Sequence, residues 1–248
     1  MCDFISLATT DRKEIYYFDC EKRQSMPVDS RGNRLDPDSH ASICEFFRIN
    51  EDAVNKYEWN PFSNTLYVDT KQFDEDTEYI RNHLNEQDWS PICGDLEGAR
   101  AFIETLKDGS YLNLNLSIPE GVRVFDTWEE ADAAICSASR SAGLGAVRGA
   151  THNAANASIL CAVGYSSRYP AFSAAEDAAY DAARATNACS LDAARYCAIK
   201  YALGDRVEIE PEHIAYVNKR WAINQAGYRV VDDVAGVLYC YDIARRMR

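Results

Sequence analysis

The chain has 248 residues, 47% of them hydrophobic and 26% charged, with Asp and Glu outnumbering Lys and Arg by 39 to 26 for a formal net charge of -13. These proportions exclude a disordered, collagenous or membrane-embedded chain. They also disfavour a whole-surface nucleic-acid binder, which needs a basic footprint for the phosphates.

The acidity is polarised. Residues 1–120 carry 12 Lys and Arg against 24 Asp and Glu, whereas residues 121–248 carry 14 against 15. We therefore expect an α+β protein: an acidic mixed α/β module over 1–120, then an Ala-rich helical module over 121–248 that ends in a β-hairpin, as two domains or as one continuous domain. The 9 cysteines are odd in number and none is spaced as CxxC. We read them as reduced thiols of a cytoplasmic protein. The opening MCDFISLATTDRKE has neither the basic nor the long apolar region of a secretory signal, and no membrane segment is expected.

In chain order, Phe4–Leu7 and Ile15–Phe18 are strand-like runs around the polar turn Thr9–Lys13, which predicts a hairpin. Ser39 can N-cap a helix through Phe47, with Ile43, Phe46 and Phe47 facing inward. Asn60-Pro61 breaks the chain, and a strand resumes over Thr65–Val68. Asp95 can cap a helix over Leu96–Leu106, ended by Gly109. Leu112, Leu114, Leu116 and Ile118 alternate with Asn113, Asn115 and Ser117, the period of a half-buried strand.

From Trp128 to Asp205 the composition changes to 24 alanines in 78 residues. Thr127 with Glu130, and Ser173 with Glu176, fit capping boxes. Ser190 can cap a helix closed by Gly204, and Pro211 can begin another that ends at Gly227. Ala154/Ser158/Ala162 and Ala175/Ala179/Ala183 put small residues on one helical face, which lets helix backbones approach closely. Tyr228–Val231 and Val237–Tyr241, around Asp232–Gly236, predict a closing hairpin.

The start MCDFIS, with YYFD, DSHASIC and NKYEWNP, resembles a family encoded by bacteriophages and gut bacteria. The segment KRWAINQAGYRVVDDVAGVLYCYD is similar to that family's closing segment. The resemblance touches residues 1–70 and 213–242, and in the middle extends only to composition. The family has no established activity, so the resemblance implies a phage-type origin and no chemistry.

Cys2 is the sharpest candidate nucleophile. Removal of Met1 would expose its α-amino group as the base of an N-terminal nucleophile hydrolase or amidotransferase. Asp3, however, stands where amidotransferases of that type have glycine. His40 and Cys44 lie one helical turn apart, as half a metal site or a nucleophile–base pair would. A Ser39 cap and a core Cys44 explain the segment equally well, and we assign no metal and no cofactor. Arg140, Ser141, Gly143, Gly145, Arg148 and His152 form a glycine-rich turn with arginines before a helix, which is the best candidate site for a small anionic ligand. Asp74, Glu75 and Asp76 mark an acidic docking surface, and Tyr165, Arg168 and Tyr169 an aromatic contact surface. His83 and His213 are expected to be exposed. No catalytic constellation is complete. The sequence therefore points to a protein that binds a macromolecule or sequesters a small anionic ligand without catalysis, alone or as a homo-oligomer. An N-terminal cysteine hydrolase and a structural virion component are the alternatives.

Overall fold

The computed structural model describes residues 5–141, 148–164, 169–186 and 188–244. Its fold is α+β, with two sheets and ten α-helices among the described residues. Strands β1 (Ile5–Thr9) and β2 (Ile15–Tyr16) form the expected hairpin, with Ala8 opposite Tyr16. Strands β3 (Asn55–Asn60) and β4 (Thr65–Thr70) extend it to an antiparallel sheet in the order β2-β1-β3-β4. Ile5 lies opposite Trp59 and Leu7 opposite Tyr57, and all four enter the main core. On the next position of β1, Ala8 belongs instead to a small cluster with Phe18, Ile43 and Cys44. The period of two thus gives the sheet two covered faces.

Two short helices follow the first hairpin, α1 (Cys20–Ser25) and α2 (His40–Phe47). Ser39 caps α2, accepting the Ser42 N–H at 3.4 Å. Ile43 points inward, but Phe46 remains 39% exposed and rests edge-on against Phe18, a correction to the inward face read from the sequence. Helices α3 (Glu78–Asn85) and α4 (Ser90–Cys93) lead to α5 (Leu96–Asp108), which Asp95 caps and Gly109 ends in the left-handed region, as expected.

The predicted strand over Leu112–Ile118 does not form. Asn113 accepts the Asn115 N–H on its own side chain, and the Leu116 N–H donates to the Asn113 carbonyl, so local turns outcompete a ladder. A strand that periodicity missed, β5 (Val122–Phe125), instead pairs parallel with β7 (Val237–Asp242). With β6 (Tyr228–Val234) it makes a second sheet in the order β5-β7-β6. The β6–β7 turn places Ala235 at φ 50° and Gly236 at φ 79°, the two positive values that suit the twist of a tight hairpin.

Helix α6 (Trp128–Ser141) covers one face of this sheet through Ile135, beside Val234 and Tyr239. Helices α7 (Ala150–Gly164) and α10 (Pro211–Gln225) cover the other, through Ala155, Tyr216 and Ile223 against Val230, Leu238 and Cys240. On α7 the buried stripe is Ala155, Ile159 and Val163, one position from the small-residue face read from the sequence. At α6 the Glu130 N–H donates to Thr127, while the Glu130 carboxylate accepts from Asp126 rather than from Thr127.

Helix α8 (Tyr169–Ala185) begins four residues before the predicted cap, because Pro170 suits a first helical turn. Ser173 is therefore interior, and the capping box with Glu176 does not exist. In helix α9 (Ser190–Cys197) the N-cap position is Cys189, not Ser190, with no side-chain cap hydrogen bond, and the helix runs on as a π-helical stretch over Ala198–Leu203. The main core joins Leu7, Trp59 and Ile103 from before residue 120 to Phe172, Cys197 and Trp221 from after it.

Ala175, Ala179 and Ala183 are all fully buried, as the small-face spacing predicts. Ala179→Leu is expected to cost about 1–3 kcal/mol or more by overpacking, against at most about 0.5 kcal/mol for Ala157→Leu on the exposed face of α7. Urea denaturation of the two variants checks this.

Candidate functional site

The packing of α7, α8, α9 and α10 leaves a cleft of about 310 Å³. Each helix contributes polar side chains to its wall: His152 and Asn156 from α7, Glu176 and Tyr180 from α8, Asp192 and Arg195 from α9, Tyr216 and Arg220 from α10.

Two ion pairs of different character meet there. Arg220 and Asp192 form a buried pair, their side chains 11% and 5% exposed. Arg220 Nε donates to Asp192 Oδ1 at 2.6 Å, and Nη1 donates to the Tyr216 hydroxyl at 3.2 Å. The same Nη1 faces His152 Nδ1 at 3.5 Å, so every edge of this guanidinium has a partner. Burial opposes its charge, but Asp192 and Tyr216 outweigh that cost and raise its pKa further, so Arg220 stays permanently charged. Burial, and then the Arg220 charge, lower the pKa of His152 and hold the imidazole neutral near pH 7. Burial also pushes Tyr216 up to about 12.

The second pair is looser. Arg195 Nε lies 3.1 Å from Glu176 Oε1, and its guanidinium stacks over the Phe172 ring at 5.3 Å. Its Nη1 is buried and has no hydrogen-bond partner among the described residues. Desolvation of Glu176 outweighs the attraction of Arg195 and, with Asp177 nearby, pushes the carboxyl up to about 7. Around the cleft the mouth is apolar, with Leu191 68% and Tyr180 36% exposed.

Of the predicted anion-site residues, only His152 reaches this cleft. Gly143 and Gly145 lie outside the described residues. Arg140 and Ser141 bond back to the carbonyls of Cys136 and Ser137 on their own helix. Arg148 is held by Asp232 at 2.5 Å and Asp132 at 3.0 Å. The N-terminus of α7 does cradle an anion, but the anion is the chain's own: fully buried Asp233 accepts the Thr151 and His152 N–H groups at 3.2 and 3.1 Å, and the Tyr216 hydroxyl at 3.3 Å.

The predicted docking residues divide. Asp74 is exposed beside Lys71, and Asp76 is exposed with its carboxylate on the Glu78 N–H. Glu75 turns inward, where Thr9, Asn55, Tyr57 and Tyr79 all donate to it. Against its desolvation these four donors lower its pKa, so it fastens the first sheet to the start of α3. Tyr169 packs on the main core, while Tyr165, Arg168 and Cys2 lie outside the described residues.

His40 is buried, with Nε2–H donating to the Tyr57 carbonyl at 3.0 Å and Nδ1 3.4 Å from Asp69. Cys44 beside it is buried in the apolar cluster under α2. His83 and His213 are half-buried rather than exposed; His83 Nε2 meets the Tyr17 hydroxyl at 3.0 Å. Among the described residues no group of three His, Cys, Asp or Glu side chains is placed to hold a metal ion, and no helix is long and apolar enough to cross a membrane.

The cleft residues that sequence reasoning missed carried one usable signal. Glu176 falls on the same helical face as Phe172, Ala179 and Ala183, so a charge stood on a face otherwise destined for burial. Compared with protein-family models, with curated proteins and with solved structures, the chain matches none.

Removing one member of the buried pair strands the other. Asp192→Ala is expected to destabilise the fold by about 3–5 kcal/mol, measured by denaturant unfolding. Glu176 acts in the opposite sense to most carboxylates. Its folded pKa is raised, so the folded state binds more protons than the unfolded one between about pH 4.5 and about pH 7, and stability falls as pH rises through that window. Thermal melts of the wild type should show this loss, and Glu176→Gln should remove it.

Proposed function

We propose that this chain is a binding protein that sequesters a small anionic molecule in the α7–α10 cleft, acting without catalysis. The observation that carries this reading is Arg195, a half-buried side chain whose buried Nη1 has no partner among the described residues, in the wall of a cleft of about 310 Å³. That volume is at the small end of the range of about 300–1,000 Å³ common for ligand sites. A buried donor without an acceptor costs about 1–3 kcal/mol, and a ligand acceptor recovers it.

The thiols near the cleft are poor nucleophiles. Burial pushes Cys189 up to about 11 and Cys240 up to about 12, so neither offers a thiolate at neutral pH. In the phage-type setting that the sequence resemblance implies, holding a small molecule away from other proteins is a sufficient accessory role.

The test is native mass spectrometry of the purified chain, joined to an amide-shift NMR screen of a small-molecule library. The expected result is an excess mass lost on denaturation, or hits whose shifts cluster on His152, Asn156, Tyr180, Arg195 and Tyr216. A bare mass together with a screen that leaves those amides unmoved overturns the reading.

A further inference from the structure

The two arginines of the cleft are not equivalent, and their difference specifies a ligand class. All three nitrogens of Arg220 are engaged within the chain, by Asp192, Tyr216 and His152. Arg195 is held on one edge only, by Glu176 at 3.1 Å, with Nη1 unfilled and one face fixed on Phe172. A planar guanidinium in that position matches a carboxylate, which can take two of its N–H groups at once.

Resting on the reading of the cleft as a ligand site, we infer that the ligand is a small organic monocarboxylate that takes Arg195 from Glu176, and that Glu176 takes up one proton as it does so. The balance is simple. The incoming carboxylate replaces one carboxylate on the guanidinium, and the displaced Glu176 carboxylate gains a proton from solvent to become neutral. No covalent bond is made to the ligand.

The surroundings of Glu176 support the exchange. Its own helix sets Asp177 beside it, and α9 brings Arg195 and the buried thiol of Cys197. The other cleft walls contribute Asp192, paired with Arg220, neutral His152 from α7, and Tyr216 from α10. From α5 and the π-helical stretch, Ala99, Phe102, Ile103 and Ile199 bring apolar surface to the shared core. A Glu176 carboxylate without Arg195 would thus be left beside Asp177 in a poorly solvated position. Protonation relieves that cost, and the carboxyl is already poised at about 7. Asp177 opposes a second negative charge on the ligand, which favours a monoanion over a dianion. Exposed Leu191 and Tyr180 at the mouth offer apolar surface to the rest of the molecule.

The experiment titrates the full chain with benzoate and hexanoate, with their amides, and with hexylamine. It uses isothermal calorimetry at about pH 6 and about pH 8, in buffers of differing ionisation enthalpy. The carboxylates should bind in preference to the amides and the amine, take up close to one proton at the higher pH, and weaken about tenfold from about pH 6 to about pH 8. Glu176→Gln should bind them with that pH dependence abolished, and Arg195→Met should lose them. A thermal melt of each variant confirms folding, and the wild-type comparison of carboxylates with amides needs no variant. Amides or the amine binding as well as the carboxylates, or carboxylate binding without proton uptake, overturns the inference and leaves the ligand site standing. If none of the five probes binds, the monocarboxylate assignment falls. The ligand site itself falls only if the library screen and the native mass are also empty.

Discussion

Helix α8 buries eight residues, and seven of them are alanine. That constraint governs much of the molecule. With so little side-chain volume between them, α8 and its neighbours approach closely, and long side chains from this layer have few directions open. The charged ones among them converge on each other. Glu176, Arg195, Asp192 and Arg220 are thus brought into ion pairs by the same close packing that gives the core its density. A leucine-rich layer of the same topology would hold its helices further apart and bring fewer of these groups into contact.

The cleft shows how one helical layer can treat two ion pairs differently. Asp192 and Arg220 are matched on several edges and further tied by Tyr216 and His152, so their burial is compensated. Glu176 and Arg195 share a single contact, and desolvation wins over attraction. The first pair is architecture, because removing either partner leaves a charge stranded. The second rests on one contact, and its carboxyl loses its charge far more readily.

The sequence made the local signals legible and the long-range ones obscure. Both hairpins, the Ser39 and Asp95 caps and the buried face of α8 follow from short-range rules of turns, caps and periodicity. The strand expected at Leu112–Ile118 failed because its asparagines satisfy the backbone locally, a competition that alternation of apolar residues does not register. Strand β5 was missed because a four-residue run carries almost no periodic signal and its parallel partner lies over a hundred residues away. The same distance hid the site. Glu176 read as half of a cap and Arg220 carried no signal, since neither residue reveals alone that a helix from elsewhere will present its counter-charge. His152 was singled out for the right element but for a cradle that Asp233 fills from within the chain.

That internal cap has a consequence for how the molecule comes apart. Asp233 belongs to β6, yet the first amides of α7 and the hydroxyl of α10 depend on its carboxylate, while its carbonyl accepts the Gly149 N–H. Fraying the closing hairpin therefore uncaps a helix distant in sequence, and loosening that helix strands a buried charge in the hairpin. Strand and helices are thus tied together, and hydrogen exchange at Thr151 and His152 is expected to proceed through the same opening that frees β6.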